Sequence, residues 1–196
     1  MRCRQEACFI LVGCLVGSLQ VVAQTYQIVP ERSHISFTAQ HMGFFKVSGH
    51  FKAFAGTILY DGDERASLVV EVAIEGASID TDSKMRDRGL RGTSFLDVKQ
   101  YPEITFKSKR IERTGEEANV IIGDITVHGI TKEITIPFTL TTLIGEAPVS
   151  RRLHIEAAFT INRKDYALSF SPAMDPLVGD EVEVEIDVEA VEVESF

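Results

Sequence analysis

Tryptophan is absent, and the three cysteines, Cys3, Cys8 and Cys14, all fall before Leu15. The rest of the chain has no thiol, which removes disulfides, thiolate nucleophiles and cysteine-ligated metals. Positive charge is short as well: 20 Lys and Arg stand against 29 Asp and Glu, for a net charge of −9. Setting aside Arg2, Arg4 and Glu6 makes the remainder more negative still, and a nucleic-acid partner is not expected of such a balance. Beyond Ala23 no apolar run is long enough for a membrane-spanning helix. A Gly-x-Ser-x-Gly elbow and a phosphate-cradling glycine loop are both missing. No repeat, low-complexity tract or linker points to a second domain.

What is present begins with an N-terminal segment, Met1–Ala23, that has the layout of a secretory signal. Arg2 and Arg4 form its basic end, Ala7–Leu19 its apolar stretch, and Val21-Val22-Ala23 its small-residue close. Cleavage after Ala23 is expected, giving a periplasmic or secreted protein. The rival is a lipoprotein signal, because Leu11-Val12-Gly13-Cys14 fits a lipobox that would leave Cys14 lipidated. Against it, the residues after Cys14 stay apolar. The remaining residues, 24–196, suit one domain.

From Tyr26 onward apolar and polar residues alternate with period two, which sends successive side chains to opposite faces of a strand. Val182, Val184, Ile186 and Val188 alternate with Glu181, Glu183, Glu185, Asp187 and Glu189. One face of that strand is aliphatic and the other anionic. Leu153, Ile155, Ala157, Phe159 and Ile161 repeat the pattern, as do Ile134, Ile136, Phe138 and Leu140, where Pro137 predicts an edge or a bulge. Turn signals separate the runs at Asp61-Gly62, Thr114-Gly115-Glu116, His128-Gly129, Gly145 to Pro148, and Val178-Gly179-Asp180. Between Thr81 and Gly92 a short helix is predicted, capped by Thr81 or Asp82 and stopped by Gly89 and Gly92. The expected fold is all-β, an antiparallel barrel of about eight strands with one short helical segment.

A barrel of that size is either filled by its side chains or holds one guest. Twelve Phe, many at alternating or strand-end positions, could line a tunnel: Phe37, Phe44, Phe45, Phe51, Phe54, Phe95, Phe106, Phe138, Phe159 and Phe170. Ala39, Gly49, Ala53, Gly56 and Ala157 share those faces, and their missing volume must be taken up by neighbours, water or a ligand. The pattern alone leaves a filled interior equally open.

Four blocks of residues are similar to the YceI-like family of lipid- and polyisoprenoid-binding proteins. They are Ser33-x-Ile35-x-Phe37-x3-His41 with Val47-x-Gly49-x-Phe51 and Phe54-x-Gly56; Ala77–Thr81, Arg86-Asp87-x2-Leu90, Phe95-x-Asp97 and Tyr101-Pro102-x-Ile104-x-Phe106-x-Ser108; Gly123–Lys132; and Ile161-Asn162-Arg163-x-Asp165-Tyr166 with Val178-Gly179-Asp180-x-Val182. The resemblance implies a lipocalin-like barrel with a long pocket for an isoprenoid, a quinone or a fatty amphiphile, in an exported protein. Val29, Arg32, Gly89 and Ala167 depart from the family's commoner residues, and these positions are expected near the barrel mouth or its helix.

The expected partner is therefore a long-chain isoprenoid or lipid. The expected wall is Phe37, Phe51, Phe95, Phe106, Phe138, Phe159 and Phe170, with Arg86 as a headgroup contact. Arg86, Asp87, Arg88, Arg91 and Asp97 form the densest charged cluster, and a structural role that fixes the helix over one barrel end competes with ligand contact. The same holds for Arg163 and Asp165. His34, His41, His50, His128 and His154 show no metal-ligand spacing, and Asp61-Gly62-Asp63-Glu64 reads as a turn before a calcium loop. No metal, cofactor or catalytic residue is assigned. A carrier is the leading function; an enzyme acting on a lipid or isoprenoid, and a filled structural or stress-protective barrel, are the alternatives. A homodimer is compatible with these features.

Overall fold

The computed structural model describes residues 23–62, 68–113, 119–144 and 151–193. Met1–Val22 of the expected leader, Asp63 and Glu64 of the calcium alternative, and the turns expected at Thr114–Glu116 and Gly145–Pro148 lie outside them. The strands are β1 (Gln24–Ile28), β2 (His34–His41), β3 (Phe45–Phe51), β4 (Phe54–Tyr60), β5 (Val69–Glu75), β6 (Ile79–Asp80), β7 (Glu103–Arg113), β8 (Asn119–Val127), β9 (Ile130–Ile144), β10 (Arg151–Asn162) and β11 (Val178–Val193); α1 is Lys84–Leu90.

All pairings are antiparallel, and the ladder returns on itself because β11 pairs with both β10 and β1. Three of the barrel's staves are each built from two consecutive strands. β1 and β2 lie along the same edge of β11, at Ile28↔Ala190 and His34↔Asp187, separated by a 3-10 turn at Pro30–Arg32. Ser33 bridges the gap: its hydroxyl donates to Val29 O at 2.7 Å and accepts from Glu189 N at 3.0 Å. β3 and β4 likewise form one bent stave, and β5 and β6, which pair with β4 and β3, another, so the closed wall has eight, as the alternation predicts.

Inward and outward faces follow the sequence parity. Ile155, Phe138 and Val188 are buried inside while Glu156, Thr139 and Asp187 face water. The β8–β9 hairpin turns on two residues, His128 and Gly129, with φ of 51° and 75°. That left-handed pair matches the strand twist, and the bare Gly129 Cα leaves room for the Tyr101 ring, which would stand 2.4 Å from a Cβ there.

Four local expectations need correction. The helix is capped by Ser83, whose Oγ accepts from Arg86 N; Thr81 is unavailable because its hydroxyl donates to Asp87 Oδ1 at 2.6 Å. Gly89 lies within the helix, and only Gly92 follows it. Val178-Gly179-Asp180 opens β11 as a bulge, since Val178 pairs with His41 and the register resumes at Val182↔Ala39. Pro137 occupies a central strand opposite Val120; the β9–β10 ladder stops at Phe138↔Ala157, so the missing N–H falls where that ladder has ended.

Candidate functional site

Two apolar clusters sit at the two ends of the barrel. The first is tightly buried and includes Tyr26, Ile28, Ile58, Leu153, Val188 and Ala190, where β1 bridges β4 and β11. The second joins Leu90 of α1 to Ile79, Leu96, Ile125, Val127, Tyr166 and Leu168. Between them lies a cavity of about 580 Å³. Its wall is almost wholly aliphatic and aromatic, and it includes inward residues of β2, β5, β7, β8, β9, β10 and β11.

All seven phenylalanines expected on the wall line this cavity, and so does Arg86. Phe37 and Phe51 meet at 5.7 Å between ring centroids, Phe95 and Phe170 at 4.7 Å. Three other rings are elsewhere. Phe54 is buried in the first cluster without reaching the cavity, and Phe44 and Phe45 are exposed in the β2–β3 turn. Ala39 and Ala157 face the empty space, whereas the volume missing at two glycines is already taken. A Cβ on Gly49 would meet the Phe37 ring at 2.5 Å, and one on Gly56 would meet Ile28 at 2.8 Å.

The cavity opens at one end. Its exposed lining residues are Gln40, Met85, Arg86, Gly89 and Met174, which bring together the end of β2, the helix and the segment before β11. Polar lining residues gather here too: Gln40, His41, Ser83 and Arg86. Among the described residues the lining contains no Asp, Glu, Lys, Tyr or Cys. Val29 and Arg32 are not at this mouth; they sit where β1 hands over to β2, with Arg32 3.6 Å from Glu189. Ala167 ends a 3-10 turn at φ 55°, a left-handed position that glycine would hold at lower cost.

The charged cluster resolves into a set of helix fasteners. Asp87 is buried and accepts from both the N–H and the hydroxyl of Thr81. Arg86 does not bond to Asp87; its Nε donates to Thr81 Oγ1 at 2.8 Å and its Nη2 to Thr81 O at 2.6 Å. Nη1 keeps no hydrogen bond among the described residues. Arg91 donates to Ile79 O. Just before the helix, Lys52 pairs with Asp80, and hydrogen bonding from that ammonium holds the Asp80 carboxyl below its ordinary range.

Arg163 fastens the opposite side of the mouth. It is 1% exposed, and its guanidinium donates to the carbonyls of Gly179, Leu168, Asp175 and Val178 and to the Asp175 carboxylate at 2.6 Å. Asp175 also accepts from Lys164 Nζ and from Phe170 N. The Arg163 and Lys164 hydrogen bonds hold its pKa well below the usual carboxylate range. Sequence reasoning gave Arg163 no more weight than Asp165, whose carboxylate reaches only Lys132 at 3.5 Å. Burial of an arginine at a strand end has no local signature.

The histidines do not converge. His41 lines the mouth, His34 and His50 are exposed, and His128 donates to or accepts no carboxylate but lies 3.2 Å from Tyr166 O. His154 Nε2 is 2.8 Å from Asp187 Oδ1; with Glu156 these ligand atoms fall within 4.8 Å of one another on the outer wall, away from the cavity.

The YceI-like domain family matches residues 26–190. A UPF0312 protein of Yersinia pestis is 34% identical over 192 residues, covering 93% of this chain and 97% of the relative. One from Enterobacter sp. (strain 638) is 33% identical, covering 94% and 98%. Among solved structures, the Campylobacter jejuni YceI protein superposes with a TM-score of 0.67 at 25% identity, covering 79% of this chain and 90% of that one. Burkholderia cenocepacia BcnA gives 0.72 at 24% identity, covering 83% and 98%. A polyisoprenoid-binding domain from Saccharophagus degradans shares the fold at 0.66 and 13% identity, covering 87% and 99%. Matched from Tyr26 to Ala190 and similar along nearly its whole length to these relatives, the chain belongs to the YceI-like family.

Proposed function

We propose that this protein is an exported carrier that encloses the apolar tail of a long-chain isoprenoid or a similar amphiphile. The observation that carries the reading is the cavity: about 580 Å³, lined mostly by aliphatic and aromatic side chains, with Gln40, His41, Ser83 and Arg86 gathered at its opening. At about 30 Å³ per methylene-sized group it holds roughly 20 carbons of chain. Burial at about 25 cal/mol per Å² of apolar surface supplies the affinity, with low selectivity among tails. Arg86 is the headgroup contact, because two of its nitrogens are fixed on Thr81 and Nη1 is left to face an oxygen of the guest. That a fold relative is described as polyisoprenoid-binding supports the same class of guest.

The absence of any carboxylate, lysine or tyrosine from the lining argues for holding rather than reacting. A catalytic base or acid has to reach the substrate, and only His41 at the mouth offers one. The signal-like layout of Met1–Ala23 supports the reading of a carrier exported to the periplasm or beyond the cell.

The test is organic extraction of the protein purified without detergent, followed by mass spectrometry, with titration of a fluorescent long-chain probe on the extracted protein. A long-chain amphiphile near one per chain, displaced by the probe, is expected. A protein that yields no lipid and leaves the probe unbound sinks the proposal.

A further inference from the structure

Nine large apolar side chains are exposed among the described residues, and six of them gather by the cavity mouth: Met85 and Met174 line it, and Met42, Phe44, Phe45 and Leu177 lie on the segments that adjoin His41 and Met174. Three separate segments supply them. Met42, Phe44 and Phe45 form the β2–β3 turn that follows the mouth residue His41, Met85 stands on α1, and Met174 and Leu177 belong to the turn before β11. The Met42 N–H donates to Leu177 O at 2.6 Å, so the first and third segments are joined into one rim. Phe44 and Phe45 stack at 4.4 Å, exposed by 73% and 56%, and Met85 is 82% exposed. Isolated apolar side chains on a surface need no explanation, but a contiguous group around an opening does.

Charge is distributed unevenly about this rim. Lys84 and Arg88 flank Met85 on α1, both exposed and neither in an ion pair among the described residues. On the side of the barrel lysines are matched, Lys107 with Glu71 and Lys109 with Asp124 and Glu133. The acidic outer face of β11 runs from Glu181 to Glu189 and begins near the mouth, where Glu183 pairs with Lys46, and Lys84 and Arg88 share their side of α1 with Asp80, Asp82 and Asp97. The mouth presents apolar tips beside unpaired cations, on a protein of net charge −9.

We infer that the rim docks on the surface of a lipid bilayer, with Phe44, Phe45 and Met85 inserted to the headgroup boundary and Lys84 and Arg88 beside lipid phosphates. Side chains of this kind bind an interface by shallow apolar burial together with attraction to anionic lipid. The unbranched methionines adapt to a fluid surface. The cavity opening is continuous with the rim, so a tail moving between bilayer and barrel would not cross water. A second copy fits less well: twofold pairing through the mouth would gather the unpaired Lys84 and Arg88 of both chains into one apolar interface and close both openings. The purpose of docking rests on the carrier reading, but the surface does not, and the two are measured separately.

The experiment is flotation of the purified protein, its N-terminus established by intact mass, with vesicles of equal parts phosphatidylcholine and phosphatidylglycerol and with vesicles of phosphatidylcholine alone. The triple variant Met42→Ser, Phe44→Ser, Phe45→Ser, exposed residues outside the cavity lining, should lose more than about ten-fold in partition to both vesicles. Lys84→Glu with Arg88→Glu should lose binding chiefly to the anionic ones. Leu59→Ser with Ile144→Ser, exposed residues outside the rim, should float like the parent. Each variant's melting temperature and its retention of a fluorescent long-chain probe are read in solution, so loss of docking with the probe retained supports the inference even if the carrier reading fails. A triple variant that floats like the parent overturns it. So does one whose only change is from dimer to monomer in sedimentation, which would make the rim a contact between copies.

Discussion

Replacing Ala157 by Phe asks whether the barrel is hollow. Ala157 lies on the inner face of β10, opposite Phe138 on β9 and Ile186 on β11, and lines the cavity. In a filled interior an added ring must push neighbours off their rotamers, at about 1–3 kcal/mol. In an empty apolar space the ring is buried without displacing anything, so Ala157→Phe should melt at the parent's temperature or above it. The same ring takes the room of about four methylenes of a guest at ~30 Å³ each. At about 0.8 kcal/mol per methylene that is about 3 kcal/mol, or about a hundred-fold in Kd for a guest that fills the cavity. Calorimetry gives the melting temperature, and displacement of a fluorescent probe by a homologous series of chains gives the affinities. Chains about four carbons shorter should bind variant and parent alike. A lowered melting temperature with affinity unchanged, or an equal loss at every chain length, would refute the reasoning.

Arg163→Met should cost about 3–5 kcal/mol, the range for removing one member of a buried charged pair, because the carbonyls of Leu168 and Val178 and the Asp175 carboxylate lose their donor together; denaturant unfolding measures it. Acid should release the same segment. The Asp175 carboxyl has a lower pKa in the folded than in the unfolded chain, so its contribution is complete above about pH 4 and is lost as pH falls further. Hydrogen exchange over residues 168–178 should rise from there downward in the parent, and Asp175→Asn should flatten that rise.

Much of this architecture was legible before any coordinates. Strand faces follow from period two, so the aliphatic side of β11 and the ring positions of β9 and β10 could be assigned to the interior by parity alone. The cavity itself was not legible, because hollowness depends on which small residues have their volume filled. Gly49 and Gly56 are occupied by Phe37 and Ile28, while Ala39 and Ala157 are not, and the composition of the face is the same in both cases. Gly179 misled because glycine serves a bulge as readily as a turn. Thr81 misled because a buried Asp87 competes for its hydroxyl. Arg163 was legible only as a charged strand end beside Asp165, and the mouth only through Arg86: the partners of both come from segments far apart in the chain, and nothing local marks their meeting.

The knitting of β1 to β4 and β11 leaves Tyr26, Ile58, Leu153 and Ala190 packed as a floor. A well with a floor is a gauge. Whatever enters tail-first is stopped at a set depth, and any surplus length stands proud beside Arg86, so molecules of one chemistry would be sorted by how far their heads are left above the brim.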